Sequence, residues 1–114
     1  MREVNVIYPA SAPADEVWKI LSDFGAFLDW AGGGEGEIRI EGEGLGMIRH
    51  LDIAVGKIAE RLVEIDPTTR SIAYSLVYGE PIGMKEYHAL VQVAEVDADN
   101  CELRWHGQFE PVYD

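Results

Sequence analysis

The chain carries a single cysteine, Cys101. One cysteine closes no internal disulfide and suits a reducing compartment. Basic residues are scarce: 9 Lys and Arg stand against 21 Asp and Glu, for a net charge of −12. Phosphate contacts supply most nucleic-acid affinity, so no DNA or RNA partner is expected of so acidic a chain. The same charge disfavours anionic membranes and reads most simply as solubility. No apolar run approaches the ~20 residues of a membrane helix, so no membrane insertion is expected. Met1-Arg2-Glu3-Val4 opens without a signal-peptide h-region, which makes the cytoplasm the expected location. Gly32-Gly33-Gly34 and Gly42-Glu43-Gly44-Leu45-Gly46 lack the ending and the following helix of a phosphate loop, and read as flexible loops.

What is present is ordinary in amount and informative in pattern. The 114 residues, 47% of them hydrophobic, make one globular domain spanning 1–114. Glu3 to Tyr8 alternates as a first strand, and Pro9 to Pro13 ends it. Ser11 or Ala12 is then expected to cap a helix, with Pro13, Asp15 and Glu16 in its first turn. Val17, Trp18, Ile20, Leu21 and Phe24 form its apolar stripe. Phe27, Leu28 and Trp30 predict a second short helix before the glycine run. From Glu35 onward only strands follow: 37–41, 47–53, 57–65, 71–78, 85–96 and 101–109, as a meander. Asp66-Pro67-Thr68-Thr69-Arg70 makes the turn between the two runs with the clearest alternation. Glu64 and Val96 fall out of phase, and bulges are expected near them.

Closing each hairpin at its turn lays out the inner face in rows. One row is Ile53, Ile58, Tyr78, Tyr87 and Phe109; the next is Leu51, Glu60, Leu76, Ala89 and Gly107; the third is Arg49, Leu62, Tyr74, Val91 and Trp105. The middle row sets a carboxylate beside Ala89 and Gly107, which give up volume. An unpaired buried charge costs several kcal/mol, so Glu60 must meet Arg49 on its diagonal, or water or a ligand in a cavity. Tyr78, Tyr87, Phe109, Tyr74 and Trp105 above and below it offer stacking surface and hydroxyl groups.

The ordered set Pro13-Ala14-Asp15-Glu16-Val17-Trp18 with Phe24 and Trp30, Gly56 to Asp66, Ile72-Ala73-Tyr74-Ser75, and Tyr87 with Trp105 resembles the START/birch-pollen-allergen superfamily. Within it, the polyketide cyclase/dehydratase-like (SRPBCC) branch is the most similar. The resemblance implies an α+β helix-grip fold: a curved antiparallel sheet of about seven strands, two short helices between strands 1 and 2, and a hydrophobic cavity. It implies binding of lipids, hormones or polyketides, with cyclisation in a few members. Glu60-Arg61-Leu62, the Gly79-Glu80 loop and Tyr87 also resemble the pocket of plant abscisic-acid receptors. There the matching Glu and Tyr line the hormone site, and loops matching Ala54-Val55-Gly56 and Gly79–Met84 close its mouth. The family's long C-terminal helix should follow Pro111, and the chain stops at Asp114. The expectation is a truncated domain, with a homodimer through the uncovered sheet face, or a face covered by the two short helices, as alternatives.

His50, His88 and His106 alternate outward and do not converge, so no metal site is expected, and no cofactor is implied. No nucleophile–base–orienter set is legible on the inner face. Glu60 and Arg49 form either a structural ion pair or a ligand-facing polar pair. Glu60 is also the one catalytic candidate, as a general base on an acidic C–H, with Tyr78 or Tyr87 holding the oxyanion. The expected function is binding of a hydrophobic or amphipathic small molecule, with a polyketide cyclase or dehydratase as the enzymatic alternative and a dimerising interaction module as the third. The expected ligand-binding residues are Arg49, Leu51, Ile53, Ile58, Glu60, Leu62, Tyr74, Leu76, Tyr78, Tyr87, Ala89, Val91, Trp105 and Phe109.

Overall fold

A computed structural model describes residues 2–26, 36–53, 56–79 and 84–111. Strand β1 (Arg2–Ala10) leads into helix α1 (Ala14–Leu21) and a 3-10 turn (Phe24–Ala26). Then come β2 (Glu37–Glu41), β3 (Ile48–Ile53), β4 (Gly56–Asp66), β5 (Ser71–Tyr78), β6 (Met84–Glu95) and β7 (Cys101–Pro111). All seven strands join one antiparallel sheet in the order β1-β7-β6-β5-β4-β3-β2. The sheet is curved and unclosed, the α+β helix-grip architecture expected from the sequence. The expected second helix at Phe27, Leu28 and Trp30 and the Ala54-Val55 turn lie outside the described residues. Among the described residues, no helix is long and apolar enough to cross a membrane.

Local chemistry explains most element ends. β1 runs through Pro9 to Ala10, past the expected break, because it is an edge strand where a missing N–H costs no ladder bond. Helix α1 is capped by Pro13 itself, not by Ser11 or Ala12; its φ of −58° suits a helix start, and its carbonyl accepts from Glu16 and Val17. Ala14 and Leu21 are buried, and Val17 and Trp18 pack against the core, but Ile20 is 51% exposed and leaves the expected stripe. Asp66 Oδ1 accepts from the Thr68 and Thr69 amides at 2.9 and 3.4 Å, and Arg70 takes the left-handed φ of 53° that completes the turn.

The register departs from the simple grid in two ways. Leu51 faces Ile58 and Arg49 faces Glu60, so the β3–β4 pairing slides by two residues. The β5–β6 pairing slides likewise, placing Tyr74 opposite Ala89 and Ile72 opposite Val91. A slide of two keeps every side chain on its face. The bulges do not. β4 carries an extra residue at Val63, near the expected irregularity at Glu64. β5 carries one at Val77, and β6 carries one between Lys85 and His88, where Glu86 has a φ of 51°. Near Val96 the pairing is regular; Val96 simply enters the turn, its amide bonded to Asn100 O at 3.0 Å.

Two apolar clusters occupy the inner face. The larger joins α1 and Phe24 to Leu62, Ile72, Val91, Val93 and Cys101. The smaller joins Leu51 and Ile58, with Ile38, Ile53 and Leu76 against them. Cys101 is 2% exposed, and burial pushes its thiol up, with Arg70 opposing.

Candidate functional site

Glu60 lies between the two clusters, because β4 contributes Ile58 to one and Leu62 to the other. It is 6% exposed and Arg49 is 3% exposed. The direct β3–β4 register, not the expected diagonal, brings them together: Arg49 Nε donates to Glu60 Oε1 at 2.8 Å. Arg49 Nη1 donates to the Phe24 carbonyl at 3.3 Å. The guanidinium carbon sits 3.9 Å from the Phe24 ring centroid and 4.9 Å from that of Tyr74. A weakly hydrated planar cation tolerates this stacked setting, and the ring faces attract it. Glu60 Oε2 takes no hydrogen bond among the described residues, which leaves one acceptor of the pair unused.

An aromatic chain extends from this pair. Phe24 and Tyr74 centroids are 6.0 Å apart, Tyr74 and Tyr87 6.2 Å, and Tyr87 and Trp105 5.9 Å with nearly parallel rings. Trp105 Nε1 donates to Tyr74 Oη at 3.4 Å. Burial raises the Tyr74 phenol above its ordinary range, the Glu60 charge adds to this, and Arg49 opposes it. Burial likewise raises Tyr87 strongly, with Tyr74 next in importance. Both phenols therefore stay protonated at neutral pH and present hydrogen-bond donors.

Gly107 corrects one expectation. The room beside it is taken: a Cβ there would come within 3.0 Å of Trp105 Cη2 and 3.4 Å of Tyr87 Cε2. Glycine at this place lets the indole lie over the β7 backbone.

Leu51, Ile58, Leu62, Tyr87, Ala89 and Val91 are buried on the inner face, and Ile53, Tyr74, Leu76 and Trp105 pack against its clusters. Phe109 keeps the β7 phase of Trp105 and Gly107 and is half-buried at the far end. Tyr78 is the exception. The Val77 bulge flips the alternation, so Tyr78 faces outward opposite Ala59, is 44% exposed, and meets His50.

The outer face holds contacts that alternation alone could not reveal. Each histidine uses Nδ1 across the sheet: His50 to Tyr78 Oη at 3.2 Å, His88 to Ser75 Oγ at 2.7 Å, and His106 to Asn5 Oδ1 at 2.6 Å. Glu41 Oε1 joins His50 Nε2 at 3.0 Å.

Comparison with solved structures finds the same architecture in several proteins. An uncharacterised protein from Bacillus thuringiensis is 24% identical with a TM-score of 0.82, over 99% of this chain and 81% of that one. Norcoclaurine synthase from Thalictrum flavum, solved with dopamine and hydroxybenzaldehyde, is 18% identical with a TM-score of 0.81, over 98% of this chain and 70% of that one. The Zhui aromatase/cyclase from Streptomyces sp. R1128 is 27% identical with a TM-score of 0.81, over 96% and 68%. Comparison with the curated proteins gives no significant match. The profile described as polyketide cyclase / dehydrase and lipid transport matches residues 1–114, and the chain belongs to that family.

Proposed function

We propose that this domain binds a hydrophobic or amphipathic small molecule, of lipid, polyketide or hormone-like character, between the curved sheet and its helical cover. The observation that carries this is the Arg49–Glu60 pair, buried on the inner face between two apolar clusters and flanked by protonated phenols. A filled structural core gains little from such a pair, since well-packed apolar residues would serve as well. A binding hollow gains polar groups that fix ligand orientation within apolar walls. Glu60, Tyr74 and Tyr87 orient the ligand in this reading, and Leu51, Ile58, Leu76 and Phe109 supply apolar contact. The family description supports it. Native mass spectrometry of protein purified from its source host tests it. A co-purified apolar ligand, released by Tyr87→Ala, is the expected result; an empty protein with no affinity for an apolar fluorescent dye overturns it.

One observation favours an enzymatic second reading. Glu60 Oε2 accepts no hydrogen bond among the described residues, and a carboxylate oxygen not engaged by Arg49 can take a proton from an acidic C–H. Tyr87 then holds the resulting oxyanion. The reaction class is cyclisation or dehydration of a polyketide-like substrate. Glu60→Gln distinguishes the two: dye binding survives in both, and turnover is abolished only under the second.

A further inference from the structure

The two exposed tyrosines among the described residues are Tyr8, 56% exposed, and Tyr78, 44% exposed. Exposure alone makes Tyr8 the more accessible. Their surroundings differ in one decisive respect. Tyr78 Oη lies 3.2 Å from His50 Nδ1, and His50 Nε2 lies 3.0 Å from Glu41 Oε1. The His50 and Tyr78 rings are 5.8 Å apart, centroid to centroid, which holds the pair in contact. Tyr8 has no such partner among the described residues.

The chain of contacts fixes the direction of the protons. An ionised carboxylate only accepts, so the imidazole nitrogen facing Glu41 carries its hydrogen. A neutral ring then has its lone pair on Nδ1, and the Tyr78 hydroxyl donates into it. Carboxylate, imidazole and hydroxyl stand in the order that activates a nucleophile: the carboxylate orients the ring, and the ring takes the proton. The His50 side chain is 16% exposed, so the sheet holds it in place, while Glu41 is 58% exposed at the edge. Arg39 stands directly across from His50 in the β2–β3 register, adding a positive charge to the same row. The arrangement depends on the Val77 bulge, without which Tyr78 would point into the inner face.

We propose that Tyr78 is a base-activated nucleophile on the outer face, a modification site that accepts acyl groups from activated acyl donors. In the step, Tyr78 Oη attacks the acyl carbonyl carbon and its proton passes to His50 Nδ1. The bond from that carbon to the leaving group breaks, and the leaving group departs with the electron pair and takes the proton from His50. The product is O-acyl-Tyr78, and Glu41 and His50 return to their starting states. The site is on the opposite face of the sheet from Arg49 and Glu60 and stands independently of the binding reading proposed for that pair.

N-acetylimidazole, which transfers an acetyl group to phenols, is the probe. The native protein is treated at neutral pH, and acetylation at Tyr78 and Tyr8 is followed by peptide mass spectrometry in the same sample. Tyr78 is expected to react about a hundredfold or more faster than Tyr8, the lower reach of general-base assistance, despite its smaller exposure. His50→Gln removes the base and brings the ratio near or below one. Glu41→Gln, at an exposed position that the fold does not need, lowers the ratio to an intermediate value. Equal rates at the two tyrosines in the native protein overturn the proposal by themselves, whether or not the variants fold. A high ratio that survives His50→Gln also overturns it.

Discussion

Arg49 and Glu60 face each other directly across β3 and β4, joined at 2.8 Å and almost sealed from solvent. Removing one partner strands the other charge in an apolar setting. Arg49→Met is therefore expected to lower stability by about 3–5 kcal/mol, and the Arg49→Met/Glu60→Leu double variant to recover most of it. Urea unfolding of both variants and the wild type closes the cycle. A single-variant loss no greater than that of a surface pair, below about 1 kcal/mol, would show the pair to be solvated.

The same pair predicts ligand charge. Arg49 and Glu60 balance each other, and Tyr74 and Tyr87 are held neutral by burial. A ligand bringing a carboxylate into this setting adds an uncompensated charge. A long-chain alcohol is expected to bind about tenfold or more tightly than the fatty acid of equal length at neutral pH. Quenching of tryptophan fluorescence reads both affinities. Tighter binding of the acid would mean that Arg49 is released to the ligand.

How much of this was legible beforehand follows from what a period of two encodes. The bounds of Glu37–Glu41 and Ser71–Tyr78 match the alternating runs, because turn residues punctuate both. The faces of Glu60, Tyr87 and Trp105 follow from alternation. Register does not, because sliding by two leaves the pattern unchanged; that is why alternation alone puts Arg49 on the diagonal of Glu60, and the structure puts it directly opposite. Tyr78 fails for another reason. Val77 is β-branched and sits comfortably in a strand, so nothing in its chemistry marks it as the extra residue of a bulge. The His50–Tyr78 contact was hidden by the same cause.

Alkaline pH should unfold the domain through its buried phenols. Both Tyr74 and Tyr87 have their ionisation raised above the ordinary value of 10.0 by burial. A raised folded value means that the unfolded chain releases these protons first. Their contribution is complete below pH 10.0 and is lost as pH rises toward the folded values. For Tyr74 the loss is expected to approach about 1.4 kcal/mol per pH unit in that range. Tyr74→Phe should flatten the alkaline limb of a urea-midpoint profile. An unchanged slope in that variant would place the phenol in water.

Gly107 sets how Trp105 lies. A Cβ built there would stand 3.0 Å from Trp105 Cη2, 3.2 Å from Cζ2 and 3.4 Å from Tyr87 Cε2. These contacts are tighter than ordinary packing, and the neighbours are ring edges, not ends of flexible chains. Gly107→Ala must therefore push the indole and the phenol apart, at about 1–3 kcal/mol. Moving Trp105 also disturbs its hydrogen bond to Tyr74 and the stack with Tyr87. The near-UV circular dichroism of the variant is expected to change while its far-UV spectrum does not, because the strand itself accepts alanine. An unaltered near-UV spectrum with unaltered stability would show that the ring has room to spare, and that the glycine serves the strand and not the aromatic wall.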